Sequence, residues 1–485
     1  MTSVGMTNGV AMADPFDFGL LVEKILSTKS LEYFGILKPL PSSAFGPYTG
    51  SNNTRAIIVA KGLQVSAVSN GVHNLADMIA LWPNDENPTH LFVCIEDVFS
   101  GNDPTRASVQ RINLSGNPDT NAETIVKGIS SCDPIRRTPW GTLAVGEEAG
   151  KDGGFYEIFD PIGIDANKPA VILDRSTGES TDPRVVKRMA VGSLSWEGNV
   201  ILKDGTMYYG DELRPNKGAP GGGIYKFVPD NPYDGKSTIN DPAQSPFASG
   251  KIYGMRLGTR SGNTDWGQGS ETGKGIWIEV NPKNHMDAHG NIILRDAQSA
   301  LGFTGYYRPE DMDIDPIAAN DGKIRVCWTN TGRMTNGVGS AIENAANYGE
   351  VLCLEDEPRD GATTNRVPFV TRFLLGDPDA NHFDNLAFQP HTGRLIVLED
   401  GEVEVLGPDG TLKELRGNDI WMCLPDGKDR NTESDGCIRI ASLTDTEAEP
   451  TGFIFDESGK SAYLNIMHRS TGKGALIKIS GFIVK

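Results

Sequence analysis

The sequence predicts an all-β fold, a six-bladed β-propeller with a few short helices and long inserted loops. Three observations lead there. Short runs of alternating apolar and polar residues dominate the chain, the pattern of half-buried strands. Glycine (57) and proline (29) punctuate those runs, as in sandwiches, barrels and propellers. A strand–turn–strand unit also recurs, with Gly141, Gly205, Gly322, Gly393 and Gly459 at its turns. Their spacings are 64, 117, 71 and 66 residues. The long interval is near twice the others and leaves room for a degenerate copy around Gly250–Val280. Hairpins at a fixed period signal a propeller, because closing the ring protects each strand edge.

The elements follow in order. Residues 1–50 read as an N-terminal extension, with a helical segment from Phe16 to Leu37. "THLFVCIEDVF" (Thr89–Phe99) is either a seventh unit or a strand that closes the sixth. "RTPWGTLAVGEE" (Arg137–Glu148) keeps the second half of a hairpin. Complete hairpins cover Trp196–Glu212, Pro309–Asn330, Phe383–Gly401 and Glu449–His468. Ser340–Asn347 carries a further helical signal. The chain exceeds the roughly 250–300 residues of a usual single core, yet no linker tract divides it. A single propeller domain over residues 1–485 is therefore expected.

Composition excludes some functions. Acids outnumber bases 64 to 45, for a net charge of −19. A nucleic-acid partner needs a basic footprint, so none is expected. No apolar run reaches the 18 residues that suggest a membrane-spanning helix. "MTSVGMTNGVAMADPF" has neither a basic n-region nor an apolar h-region. It resembles the start of a mature secreted protein, so a periplasmic or extracellular location is expected. Cys94, Cys132, Cys327 and Cys353 sit in apolar strand-like runs and are expected as buried thiols. Cys423 and Cys437 flank a turn-rich segment; pairing is one alternative there, because spacing does not give connectivity.

The hairpin register carries the functional expectation. In "GYYRPEDMDIDP", Glu310, Asp311, Asp313 and Asp315 follow directly on Arg308-Pro309. The start of a hairpin's first strand and the end of its second lie at the same end. If the hairpins line a ring, their polar ends share one face. First strands then bring Glu197, Glu310, Asp384 and Glu449 to that face. Second strands bring Glu147 or Glu148, Asp211, Asn330, Asp400 and His468. Carboxylates packed this closely repel unless a cation sits among them. Oxygen donors without a Cys or His cluster suit Ca²⁺ or Mg²⁺ better than zinc. Arg308 offers a fork that matches phosphate, and Thr329 or Asn330 is placed to donate to a phosphate oxygen. No Ser-His-Asp set, P-loop or HExxH motif appears. His73, His382 and His468 are each expected to be structural.

From Thr138 to His468 the chain resembles the PhoX-type alkaline phosphatase family. The resemblance rests on Thr138–Glu148, Gly192–Glu212, Gly223–Pro229, Tyr306–Pro316, Trp328–Arg333, Tyr348–Asp356, Phe383–Gly401 and Glu449–His468, all in order. It implies a six-bladed propeller that hydrolyses small phosphomonoesters at a calcium and iron cluster. It implies that Glu197, Glu310 and Asp400 are metal ligands and that Arg308 contacts phosphate. Glu147 and Glu148 match the family's paired glutamates. The residue before them departs, because an iron-ligating Cys stands there in the family and Gly146 stands here. More than one Ca²⁺ is therefore expected, with iron in doubt, and Gly146→Cys is expected to raise iron content and turnover. Two other readings compete: a calcium-dependent propeller lactonase or esterase, and a non-catalytic calcium-binding propeller that binds or assembles with partners.

Overall fold

The structure is a computed structural model. It describes residues 20–44, 48, 50, 52–213, 221–258, 272–332, 348–359, 362–401, 404–406, 412–427 and 431–484. Strands dominate, and the helices are short: Leu20–Thr28, Ser30–Tyr33, Leu294–Leu301 and Pro316–Asn320. The first two lie inside the expected Phe16–Leu37 segment. Residues 16–19 and Ser340–Asn347 lie outside the described residues.

The arrangement is propeller-like. Ala76–Trp82, Cys132–Arg137, Trp196–Ile201, Pro309–Ile314, Phe383–Phe388 and Glu449–Phe455 each form one edge of a sheet. Each of these axial strands lies alongside the next, and the last lies alongside the first. Four sheets of four to six strands run outward from four of them. Trp196–Ile201 and Pro309–Ile314 instead form the two edges of one nine-stranded sheet, which curls nearly into a barrel.

The degenerate copy expected around Gly250–Val280 is not an axial hairpin. Gly250–Leu257 and Gly273–Glu279 are outer strands that continue the Trp196 meander. Gly273 then pairs with Val370, which fuses two meanders into the nine-stranded sheet. The axial hairpin missed in the sequence is Ala76–Ile95, whose second strand, His90–Ile95, lies in the Thr89–Phe99 run.

Each axial strand breaks register near its start. The irregularities fall at Ala76/Ile79, Cys132/Ile135, Trp196/Asn199, Pro309/Met312, Phe383/Leu386 and Thr451/Ile454. A bulge re-aims the side chains around it. Here it frees backbone and polar groups to bridge neighbouring axial strands. Arg136 donates to Asp311 at 2.6 Å, and to the carbonyls of Met312 (2.8 Å) and Asn199 (3.1 Å). Asp313 accepts from the Phe388 amide at 2.8 Å, and Asn385 accepts from the Gly452 amide at 2.5 Å. Thr451 closes the circle by bonding Asp77. The strands approach so closely that a Cβ on Gly198 would lie 2.1 Å from the Met312 nitrogen. Only glycine fits there.

The N-terminal region completes the last two sheets. Ile57–Val59 pairs with Cys437–Leu443, and Gln64–Ser69 pairs with Ala475–Ser480. Leu26, Phe34 and Ile36 are buried in the same apolar cluster as Ile438, Ile440 and Phe482.

All six cysteines are paired, as Cys94–Cys132, Cys327–Cys353 and Cys423–Cys437. The expectation of four buried thiols is therefore corrected. Cys327 faces Cys353 across adjacent strands, a pairing that sequence spacing could not reveal.

Candidate metal centre

The axial strands carry acids at one position. The second residue is Asp77, Asp133, Glu197, Glu310 or Asp384 in five of them, and Glu449 leads the sixth. The partner strands end in equally regular fashion. The residue just past each is Glu96, Glu148, Glu212, Thr331, Asp400 or His468. Both series reach the same mouth of the ring. They enclose a cavity of about 710 Å³ lined by Asp77, Glu96, Asp133, Glu148, Glu197, Arg308, Asp384, Asp400, Glu449 and His468, among others.

Two groups of carboxylates stand close enough to share a cation. Oxygens of Asp133, Glu148 and Glu197 lie within 4.8 Å of one another, as do those of Asp384, Asp400 and Glu449. Burial pushes Asp77 and Glu96 up to about 7 and Glu310 up to about 8. It also raises Asp133, Glu148, Glu197, Asp384 and Glu449 well above the usual carboxylate range, and neighbouring acids add to the effect. Asp133 Oδ1 and Glu310 Oε2 are buried with no hydrogen-bond partner among the described residues. Such atoms are uncommon and call for an explanation such as an ion.

Arg308 is the guanidinium in this wall. Its backbone is left-handed, with φ of 54°, a conformation uncommon outside glycine. Its Nε lies 2.5 Å from Glu212 and 2.9 Å from Glu310, and Nη1 lies 3.9 Å from Asp400. Ser131 and His382 also have positive φ, each just before an axial strand. Backbone strain of this kind gathers at sites.

The structure brings Glu148, Glu197, Asp384, Asp400, Glu449 and Arg308 to the cavity. Glu310 stands behind Arg308, and the Thr331 hydroxyl bonds it. Glu147, Asp211, Thr329 and Asn330, also expected there, are held by other partners. Glu147 pairs with Arg175 at 2.6 Å, and Asp211 is held by Arg295 at 2.8 Å. The Thr329 hydroxyl bonds the Asp384 carbonyl. Asn330 accepts from Trp328 at 3.1 Å and donates to Glu350 at 3.2 Å. Glu147, Asp211 and Asn330 are each the last residue of a second strand, one position before the cavity-facing residue. Side chains alternate across a strand, so that residue points into the sheet stack. Of the residues one position further on, Glu148 lines the cavity, Glu212 anchors Arg308 and Thr331 bonds Glu310.

Of the acids in "PEDMDIDP", only Glu310 pairs with the cavity's Arg308. Asp311 pairs with Arg136. Asp313 accepts from the Ile314 amide at 2.8 Å as well as from Phe388. Asp315 caps the helix Pro316–Asn320. Sequence reasoning missed Asp77, Glu96 and Asp133. Asp77 and Asp133 share the second-residue register and Glu96 the position just past a second strand, in the two hairpins that lack a complete repeat signal in the sequence. His468, expected to be structural, lines the cavity 3.9 Å from Glu449.

Gly146 has no room for a side chain. A Cβ there would lie 2.4 Å from the Trp196 Cβ and 2.9 Å from Pro134 Cγ. The expectation that Gly146→Cys restores a ligand is therefore corrected, because Trp196 fills the space.

A ring of sheets with carboxylates from successive axial hairpins around one guanidinium defines the class. The chain belongs to the alkaline phosphatase PhoX family, whose match spans residues 136–470. Among solved structures, Pseudomonas fluorescens PhoX in complex with vanadate, a transition state analogue, is similar with a TM-score of 0.59 and 19% identity. That match covers 91% of this chain and 99% of the other. The PQQ domain of pyranose dehydrogenase from Coprinopsis cinerea matches at a TM-score of 0.43 and 12% identity, over 91% and 98% of the two chains. A gluconolactonase from Xanthomonas campestris matches at 0.38 and 11%, over 92% and 99%. No curated protein sequence matches.

Proposed function

We propose that this chain is a calcium-dependent phosphomonoesterase, acting in the axial cavity of a single-domain, six-bladed propeller. The observation that carries the reading is the pair of carboxylate clusters lining one cavity with Arg308. The six mutually adjacent axial strands support the blade count, with the nine-stranded sheet read as two blades fused at their outer strands. Family membership supports the phosphatase activity.

Asp133, Glu148 and Glu197 would hold one cation, and Asp384, Asp400 and Glu449 another. All of these donors are hard oxygens, and they suit Ca²⁺. Iron held by a thiolate before Glu147 does not fit, because Gly146 is packed against Trp196. Divalent cations held there would supply neutralisation of the phosphoryl and leaving oxygens and activation of an attacking oxygen. The protein's own part is positioning. Glu212 and Glu310 hold Arg308 Nε, and Nη1 lies 3.9 Å from Asp400, so the guanidinium is fixed in the cavity wall beside the second carboxylate cluster, where it would meet phosphate oxygens. Thr331 holds Glu310 in turn. The cavity's acids alone would repel an anion, and Arg308 is the cation in the wall that offsets this.

Metal analysis of the purified chain, with p-nitrophenyl phosphate turnover before and after calcium is returned to metal-free protein, tests this reading. Calcium without iron, and turnover that returns with calcium, are expected. Gly146 and Trp196 favour one second reading, a calcium-binding propeller with little catalysis. Bound calcium without turnover would select it. A periplasmic or extracellular location is part of the proposal; three disulfides support it, since disulfides persist in oxidising compartments.

A further inference from the structure

We propose that the Cys94–Cys132 disulfide is a positioning element for the cation site, and that opening it weakens cation binding. The inference rests on the metal reading above. The other two bridges join strands that are already hydrogen-bonded neighbours, with Cys327 opposite Cys353 and Cys423 opposite Cys437. Cys94–Cys132 joins two different sheets. It sits at a seam where no backbone ladder holds one axial hairpin to the next.

Site residues flank both of its ends. Cys94 lies two residues before Glu96, and Cys132 directly precedes Asp133. Both acids line the cavity, and Asp133 belongs to the first carboxylate group. Ser131, just before Cys132, has φ of 44°. Its hydroxyl lies 3.4 Å from Glu96 and 3.3 Å from Glu148, so it links acids from two hairpins. Its amide donates to the Asp97 carbonyl at 3.1 Å, and its carbonyl accepts from the Glu148 amide at 2.8 Å. The segment 131–133 thus carries one hydroxyl bridge, one covalent tether and one ligand in succession. Without the tether, carboxylate repulsion acts to spread the seam. Groups that orient metal ligands commonly tune affinity by about 10–100-fold.

Calorimetric titration of the full metal-free chain with Ca²⁺ alone tests this. Cys94→Ala/Cys132→Ala is compared with wild type and with Cys423→Ala/Cys437→Ala, and circular dichroism checks that each is folded. The seam variant is expected to bind calcium about tenfold more weakly or worse, and the control variant within about twofold of wild type, consistent with that account. If the seam variant does not fold, wild type reduced by a dithiol carries the comparison. There the S–S bond takes two electrons and two protons, the dithiol becomes a disulfide, and thiol mapping shows which bridge opened. Equal affinity with and without the Cys94–Cys132 bridge overturns this inference alone. A wild type that binds no calcium overturns the metal reading itself. An equal loss in the control variant reduces the bridge to general stabilisation and also overturns the inference.

Discussion

At the residue scale, function turns on which of two adjacent side chains faces the axis. Arg308 does so through a left-handed backbone and a carboxylate anchor on Nε. Arg308→Lys keeps the charge but loses the planar fork. Its kcat/KM for a phosphomonoester is expected to fall by roughly 10–150-fold, matching the about 1.5–3 kcal/mol of a bond to a charged group, with calcium affinity little changed. Steady-state kinetics and calcium titration read the two effects separately. Gly146→Cys is expected to destabilise the fold by about 3 kcal/mol through overpacking against Trp196, with no gain in iron. Denaturant unfolding and metal analysis check both. The sequence disclosed Glu148, Glu197, Asp384 and Asp400 because hairpin ends are visible as turns and polar residues. It misplaced Glu147, Asp211 and Asn330 by one position. Acids and amides occur on both sides of those strand ends, so composition alone did not reveal the face. The inward residues are instead claimed by partners distant in sequence, such as Arg175 and Arg295.

At the element scale, the axial strand is the repeating device. Its early bulge turns backbone and side chains toward neighbouring strands, and its second residue delivers an acid to the mouth. This accounts for a set of buried carboxylates with raised pKa values. In the metal-free protein, Asp77 and Glu96 at about 7 and Glu310 at about 8 stay protonated longer than in the unfolded chain. Between about pH 4 and pH 8 the native state therefore binds more protons, and stability falls as pH rises. The contribution is fully present below the unfolded values and is lost through the folded ones. Melting temperatures of metal-free protein are expected to drop across that window, and saturating calcium to remove much of the drop. A metal-free protein whose stability rises from pH 5 to pH 8 would contradict this. The turn glycines made four of these hairpins legible. The Ala76 hairpin was obscured because its turn carries Pro83 and Asn84 instead of the glycine that marked the others.

At the scale of the whole molecule, closure depends on strands far apart in sequence. Gln64–Ser69 covers the edge of Ala475–Ser480, and Ile57–Val59 covers Cys437–Leu443. A chain that begins after Ser69 would expose both edges and the cluster around Ile438 and Phe482. It is expected to lose its cooperative melt and to associate, as unpaired edges do; circular dichroism and light scattering would show this. From sequence the closing strand was sought in Thr89–Phe99, which instead belongs to the Ala76 hairpin, because a short outer strand looks the same whichever sheet it joins. The all-β class and the ring were legible, since they rest on local alternation and period. The fused nine-stranded sheet was not, because the Gly273–Val370 pairing is a long-range contact.

The acids of the axial cavity are read as a divalent cation site. Equilibrium dialysis of metal-free protein against Ca²⁺ tests it most directly, with wild type beside Asp133→Asn/Asp400→Asn, which removes one carboxylate from each cluster at nearly constant shape. Wild type is expected to bind more than one calcium per chain, and the variant to lose that binding while remaining folded. A wild type that retains no calcium, or a variant that binds as many ions as tightly, would rule out a cation site built from these acids.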